Sequence, residues 1–168
     1  MPNIYEPKLE REEGWLRARI GDEAGCDQVG VSLYELAPGE RTVFHYHVQR
    51  EELLIVLSGR VALRTAVGCD ELDEGEVVSF PRGERGAHAF ENRAAAPVRF
   101  LVVSEMTGPN ISVYPDTNQI GVFDAGRRSE RRFGALFNVA DAVADYGGKA
   151  EIVPPAPFPR SEPQSPSS

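Results

Sequence analysis

The 168-residue sequence lacks several features that mark common functional classes. It has only two cysteines, Cys26 and Cys69, which are too few and too far apart for a disulfide framework or a zinc knuckle. No apolar run approaches the ~18 residues that a transmembrane helix requires. Residues 1–15 are charged and contain no signal-like apolar stretch. We therefore expect a cytoplasmic protein whose cysteines are reduced.

Basic charge is also scarce, since 26 aspartates and glutamates outnumber 18 lysines and arginines, for a formal net charge of −8. Nucleic-acid binders obtain much of their affinity by neutralising phosphates with basic side chains. The arginines are scattered, apart from a short cluster at 127–132 that we interpret as a solvated turn. We expect a small-molecule partner and neither nucleic acid nor an anionic membrane.

The sequence does contain a series of short strand patterns, rich in β-branched and aromatic residues and separated by turn residues such as Pro38-Gly39 and Ser58-Gly59. Such a series is typical of an antiparallel sandwich or barrel rather than an alternating βαβ fold. The predicted strands are 31–36, 41–45, 52–58, 60–65, 70–72, 77–80, 88–92 and 98–104, with additional edge strands at 111–114 and 120–123.

The patterns divide the chain into four predicted parts. Residues 1–29 form an N-terminal extension packed on the barrel, and residues 30–123 form the barrel itself. Residues 124–153 form a C-terminal extension with a short helix at 139–146. Residues 154–168 are rich in proline and serine, have little to bury, and are predicted to be a disordered tail.

Only three histidines are present, and they fall in two segments. His45 and His47 are separated by one residue, so an extended strand places both imidazoles on one face. Glu52 begins the next predicted strand, and His88 begins a later one after a turn rich in glycine and proline. Each histidine alone is more typical of a surface or structural role. Together they favour a site for a divalent metal such as Mn, Fe, Co, Ni, Cu or Zn.

Two longer stretches resemble the paired motifs of the cupin superfamily. GERTVFHYHVQREELLIVLSG, from Gly39 to Gly59, resembles the first motif, and GEVVSFPRGERGAHAFEN, from Gly75 to Asn92, resembles the second. The resemblance covers about residues 30–122. It implies an all-β fold, a double-stranded β-helix (jelly-roll) cupin barrel, here with a short helical or irregular C-terminal extension. It also implies that one divalent metal ion (Zn, Mn, Fe or Ni) is bound by His45, His47, Glu52 and His88.

The spacing of the motifs is as expected around Glu52 but is longer than usual before His88. The first motif fits with Glu52 as the ligand, whereas alternation directs Glu51 away from the site. The second motif commonly has two residues between its last glycine and its histidine, but four residues separate Gly83 from His88. The segment PRGERGAH, with the later VYPDTNQIGV, is similar to a bacterial branch of small cupins in which this longer turn is normal.

Strand alternation also predicts side chains that line the pocket, namely Arg41, Leu54, Phe90 and Phe100. Among these, Arg41 would be a polar anchor near the rim of a mainly apolar pocket. No second inward acid or base stands out, and the sequence does not place a tyrosine such as Tyr34 relative to the metal. A proton-shuttling enzyme needs such a group within hydrogen-bond reach.

Two functions remain open. The first is a metal-dependent enzyme acting on a small polar molecule, in the manner of the sugar-phosphate isomerases or the dioxygenases that share the cupin fold. The second is a non-catalytic cupin that binds or senses a small ligand and keeps a structural metal. The fold alone does not select between these functions. The resemblance also implies a homodimer.

Overall fold

The computed structural model of the protein describes residues 1–12, 14–124 and 132–142, and the regular secondary structure within them is almost entirely β-strand. The strands are β1 (Glu10–Glu12), β2 (Trp15–Ala18), β3 (Val29–Leu36), β4 (Tyr46–His47), β5 (Glu52–Ser58), β6 (Val61–Thr65), β7 (Cys69–Leu72), β8 (Val77–Phe80), β9 (His88–Glu91), β10 (Val98–Glu105), β11 (Asn110–Tyr114), β12 (Gln119–Phe123) and β13 (Gly134–Asn138). Helix α1 spans Ile20–Ala24, and 3-10 turns span Glu84–Gly86, Pro115–Thr117 and Val139–Asp141. No helix among these residues is long and apolar enough to span a membrane.

The strands form three antiparallel sheets. The largest has the order β1-β2-β3-β10-β5-β8, and the other two have the orders β13-β12-β11-β4 and β7-β6-β9. A bridge between His45 and His88 joins the segment that leads into β4 to strand β9. The two smaller sheets are therefore linked at the histidines.

The main hydrophobic core lies between the six-stranded sheet and the β7-β6-β9 sheet. Its fully buried side chains alternate along the strands, as in Leu54 and Val56 of β5 and Phe100 and Val102 of β10. This alternation places one face of each strand against the core and the other toward solvent. The predicted all-β fold is confirmed.

Most predicted strands are present with nearly the expected bounds, and 52–58 and 77–80 agree at both ends. The predicted strand 41–45 is wrong, because this segment forms isolated bridges to β9 at Arg41 and His45 and no continuous ladder. The hydroxyl of Thr42 accepts the hydrogen bond from the amide of Phe90, at 2.9 Å. The Thr42 side chain thus accepts from the backbone N–H of Phe90, which a regular β-ladder would pair with a backbone carbonyl.

The N-terminal residues extend the barrel's own sheet. Strand β2 pairs with β3, and β1 pairs with β2. Near the C-terminus, the predicted helix at 139–146 is represented by the 3-10 turn Val139–Asp141. The remainder of that helix, the predicted tail at 154–168 and most of the arginine cluster lie outside the described residues.

Candidate metal centre

Four side chains converge from three parts of the fold. His47 lies on the short strand β4 and His45 immediately precedes it. Glu52 begins β5, where alternation turns it to the same inner face as the buried Leu54. His88 begins β9 and exchanges both backbone hydrogen bonds with His45.

The distances between these side chains suit a single ion. The ligand atoms of His45, Glu52 and His88 all lie within 4.8 Å of one another. The Nε2 atom of His47 lies 3.3 Å from a carboxylate oxygen of Glu52, and that of His88 lies 3.4 Å from the same oxygen. Ligands held about 2.1 Å from one ion are separated from each other by about 3 to 4 Å. The donor set and its spacing therefore fit a divalent transition metal.

The other ring nitrogen of each histidine already has a partner. The Nδ1 atoms of His45 and His88 face the backbone carbonyls of Val43 and Gly86, at 2.9 and 2.8 Å. A carbonyl oxygen can only accept a hydrogen bond, so Nδ1 is the protonated donor in both rings and Nε2 carries the free lone pair. Two of the three histidines are thus held in the tautomer that binds a metal through Nε2.

His47 is oriented by two side chains of β11. Its Nδ1 atom lies 2.9 Å from Oδ1 of Asn110 and 3.0 Å from the hydroxyl of Ser112. The amide nitrogen of Asn110 also donates to Ser112 at 3.1 Å. The cross-strand register explains this, because Ser112 is the direct partner of His47. Sequence reasoning did not identify either residue, since no local motif connects them to the histidines.

Burial and proximity set the charge of these groups. Burial, together with the nearby His88 and His47, lowers the pKa of His45 to about 3. Burial also lowers the pKa of His88, against the Glu52 carboxylate, which raises it. Burial alone would raise the pKa of Glu52, but His47 and the other two imidazoles hold it well below its ordinary value. An ionised Glu52 carboxylate beside the neutral imidazoles of His45 and His88 is suited to bind a metal.

The longer turn before His88 forms a compact 3-10 turn at Glu84–Gly86. Gly83 enters it with φ +78°, a conformation that favours glycine. Gly86 packs so closely that an added Cβ would lie 1.8 Å from the carbonyl oxygen of Pro81. The turn accommodates the two residues by which this motif is longer than usual. His88 therefore still lies beside His45 and is only 2% exposed.

The four side chains line a cavity of about 610 Å³. Six aromatic residues also line it, five from different strands and one from the segment before β13: Trp15, Tyr34, Phe90, Tyr114, Phe123 and Phe133. The ring of Tyr114 stacks on that of His45, with centroids 5.9 Å apart. The cavity is therefore an aromatic chamber with the histidine cluster in its wall.

The residues predicted to line the pocket have different locations. Phe90 lies in the cavity wall. Leu54 and Phe100 face inward but are completely buried in the main core, below the cavity. Arg41 is exposed and does not line the cavity, because it lies outside any regular strand and its alternation is broken. The prediction of Arg41 as the polar anchor is not supported by this position.

The arginines that do line the cavity come from elsewhere in the chain. They are Arg17, Arg19, Arg50 and Arg132, and the only carboxylates in the described lining are Asp22 and Glu52. Arg17 and Arg19 enter because β2 joins the barrel's sheet beside β3. The alternation of Trp15 and Arg17 in the sequence places both side chains on one face of a strand. The sequence did not show which strand this segment pairs with.

Comparisons with known proteins agree with this architecture. Residues 32–104 match the Cupin_2 family, described as a cupin domain. The tetracenomycin polyketide synthase protein TcmJ of Streptomyces glaucescens is 35% identical over 92 residues, which cover 54% of this chain. The match covers 60% of that curated relative's length.

Two solved structures are similar over larger or comparable regions. A sugar phosphate isomerase from a cupin superfamily, of Silicibacter pomeroyi, has 25% identity and a TM-score of 0.72, and the match covers 89% of this chain and 99% of that one. The polyketide cyclase RemF of Streptomyces resistomycificus has 27% identity and a TM-score of 0.54, covering 62% of this chain and 78% of that one.

Proposed function

We propose that this chain, whose residues 32–104 match the cupin domain family, is a metal-dependent enzyme acting on a small aromatic molecule that carries keto or phenolic oxygens. The observation that carries the proposal is the position of His45, His47, Glu52 and His88 in the wall of an aromatic chamber. Such a chamber binds a planar ligand through ring contacts while a few polar groups fix its orientation.

In the proposed mechanism, His45, His47, Glu52 and His88 hold one divalent metal ion. When bound, the ion acts as a Lewis acid that polarises a carbonyl or acidifies a phenol. The residues of the chain orient the substrate and exclude water, with Phe90 and Tyr114 packed beside the histidines. Asn110 and Ser112 hold the His47 ring in place.

The ring-rich lining favours an aromatic, polyketide-like substrate. Two of the similar proteins support this class, since one is named a polyketide synthase protein and the other a polyketide cyclase. The second candidate is a sugar phosphate, supported by the isomerase that the chain matches over 89% of its length and by the arginines in the lining. The polyketide-like class is preferred because the rings of Tyr114 and Phe90 contact those of His45 and His88.

Metal analysis is the first test. The tag-free protein is purified and its metal content is measured by mass spectrometry, before and after loading with Zn, Mn, Fe or Ni. We expect about one ion per chain, and a loss of at least tenfold in affinity for Glu52→Gln or His88→Ala. Glu51→Gln is the matched control, because Glu51 is adjacent but exposed. Absence of metal binding in the wild type under every loading condition would overturn the proposal.

A substrate screen then separates the alternatives. The loaded protein is incubated with linear aromatic polyketide mimics, pentose and hexose phosphates, and catechols with oxygen uptake recorded. Turnover of the first group supports the proposal, whereas turnover of the second supports the isomerase, and oxygen uptake supports a dioxygenase. A protein that binds metal with no turnover, and whose thermal stability falls on metal removal, is the non-catalytic cupin.

A further inference from the structure

The cavity has a second polar region, two strand positions from Glu52 in the six-stranded sheet, where Arg17 lies beside Tyr34. The two residues are direct cross-strand partners on β2 and β3. The guanidinium carbon of Arg17 lies 5.0 Å from the centre of the Tyr34 ring. The same guanidinium donates two hydrogen bonds to the hydroxyl of Ser32, at 2.8 and 3.1 Å. Arg17 is therefore fixed over the inner face of β3.

Small residues and one methionine form the floor between the two regions. Ser104 and Gly30 are the successive cross-strand neighbours of Glu52 across the six-stranded sheet. An added Cβ at Gly30 would lie 2.8 Å from the hydroxyl of Ser104 and 3.0 Å from the sulfur of Met106, so the floor has no room for a larger side chain at this position. Strand β3 lies two strand spacings from β5, about 10 Å. A ligand lying across this floor would extend from the histidine cluster to the Arg17 guanidinium.

Arginines outnumber carboxylates in the lining of the cavity, although the chain as a whole is acidic. The sequence carries a net charge of −8, yet four arginines and two carboxylates line the cavity. Arg19 is hydrogen-bonded to Glu12, and Arg50 donates to the carbonyl of Gly108 at 2.8 Å. The Nη1 atom of Arg17 forms an ion pair with Glu12 at 3.7 Å, a separation too long for a hydrogen bond. Only two of the five N–H groups of Arg17 donate to Ser32, so this guanidinium in the cavity lining can also donate to a ligand.

Tyr34 provides a second donor in the same region. Its ring is fixed by stacking on Phe100, with centroids 5.3 Å apart, and by contact with Trp15. Burial raises the pKa of Tyr34, although the Arg17 guanidinium lowers it, so the phenol stays protonated at neutral pH. A protonated phenol beside a guanidinium donates hydrogen bonds to an anionic oxygen.

We propose that Arg17 and Tyr34 form an anion-recognition site that binds a carboxylate or phosphate group of a ligand whose other end faces His45, His47, Glu52 and His88. The ligand is then bifunctional, with metal-chelating oxygens at one end and an anionic group at the other. This inference rests on the proposed function for the chelating end. The anionic end rests only on the residues around Arg17.

Matched pairs of probes test the site by calorimetry on the zinc-loaded protein. The carboxylate pair is 3,4-dihydroxybenzoate and its methyl ester, which share a catechol and differ in the distal charge. The phosphate pair is dihydroxyacetone phosphate and dihydroxyacetone. We expect the anionic member of at least one pair to bind about tenfold more tightly than its neutral partner. The pair that shows the preference identifies the anion as carboxylate or phosphate.

Variants connect the preference to the proposed residues. Arg17→Met is expected to abolish the preference, Arg17→Lys to keep part of it, and Tyr34→Phe to reduce it about threefold to tenfold. Arg99→Met is the matched control, because Arg99 pairs with Glu35 at 2.6 Å on the outer face of the same sheet. Thermal melting establishes that each variant is folded before it is titrated.

The outcomes are distinguishable from failure of the proposed function. Equal affinity for both members of each pair in the wild type, or an unchanged preference in a folded Arg17→Met variant, would overturn the inference. The titrations are repeated on metal-free protein. A preference for the anion that persists there and depends on Arg17 supports the inference even where metal loading fails.

Discussion

His88 and His45 exchange both of their backbone hydrogen bonds, with N···O distances of 2.9 and 3.1 Å. This single bridge holds two imidazoles side by side, with ring centroids 4.8 Å apart. It also fixes the register of the chain after the long turn at Glu84–Gly86. The turn is therefore part of what places His88 at the candidate metal centre.

Substitution of Gly86 is expected to disrupt that placement. The added methyl of Gly86→Ala would lie 1.8 Å from the carbonyl oxygen of Pro81, so the backbone on one side must move. We expect a loss of about 1 to 3 kcal/mol in the free energy of unfolding, with weaker metal binding. Chemical denaturation and metal titration measure the two effects. Gly68→Ala is the control, since nothing lies within 4 Å of its added Cβ; equal behaviour of both variants would contradict the prediction.

Removal of the Asn110 side chain is expected to weaken metal binding while the fold persists. Its Oδ1 atom lies 2.9 Å from Nδ1 of His47 and holds the orientation of that ring. Loss of a partner that orients a metal-binding histidine commonly costs about 10- to 100-fold in affinity. Competition titration against a chromogenic chelator measures the effect in Asn110→Ala. Gln119→Ala removes an exposed amide from the adjacent strand β12 and should leave the affinity unchanged.

Asn92 is expected to behave in the opposite way. It is completely buried, donates to the carbonyls of Leu36 and Ala96 at 2.8 Å, and accepts from the amide of Ala94. Asn92→Ala leaves these backbone groups without their partner, at a cost of about 2 to 4 kcal/mol. We expect a lower melting temperature with metal affinity per folded molecule unchanged. A large loss of affinity in the folded fraction would show that this asparagine also supports the metal centre.

The sequence was sufficient for the features that depend on local periodicity. The bounds of β5 and β8, and the inward direction of Glu52, follow from alternation and turn residues alone. The positions of Arg17, Asn110 and Ser112 depend on which strands pair across large separations in sequence, and one sequence does not encode that pairing locally. Arg41 does not line the cavity as predicted, because the prediction assumed side-chain alternation in a segment where the strand is interrupted.

The described part of β13 has apolar side chains exposed at a sheet edge, and we propose that a second copy of the chain covers them. Phe133, Leu136 and Phe137 are each at least 50% exposed, and no described strand pairs with the outer edge of β13. An exposed apolar edge strand favours pairing with another strand, and identical edges pair about a two-fold axis.

We expect the wild type to sediment at twice the chain mass, and Leu136→Lys to sediment as a monomer at low concentration. Val77→Lys is the control, because Val77 is 55% exposed on β8, at the edge of the six-stranded sheet. A wild type that sediments as a monomer at every concentration rejects the dimer. Dissociation by Val77→Lys instead of Leu136→Lys would place the interface on β8.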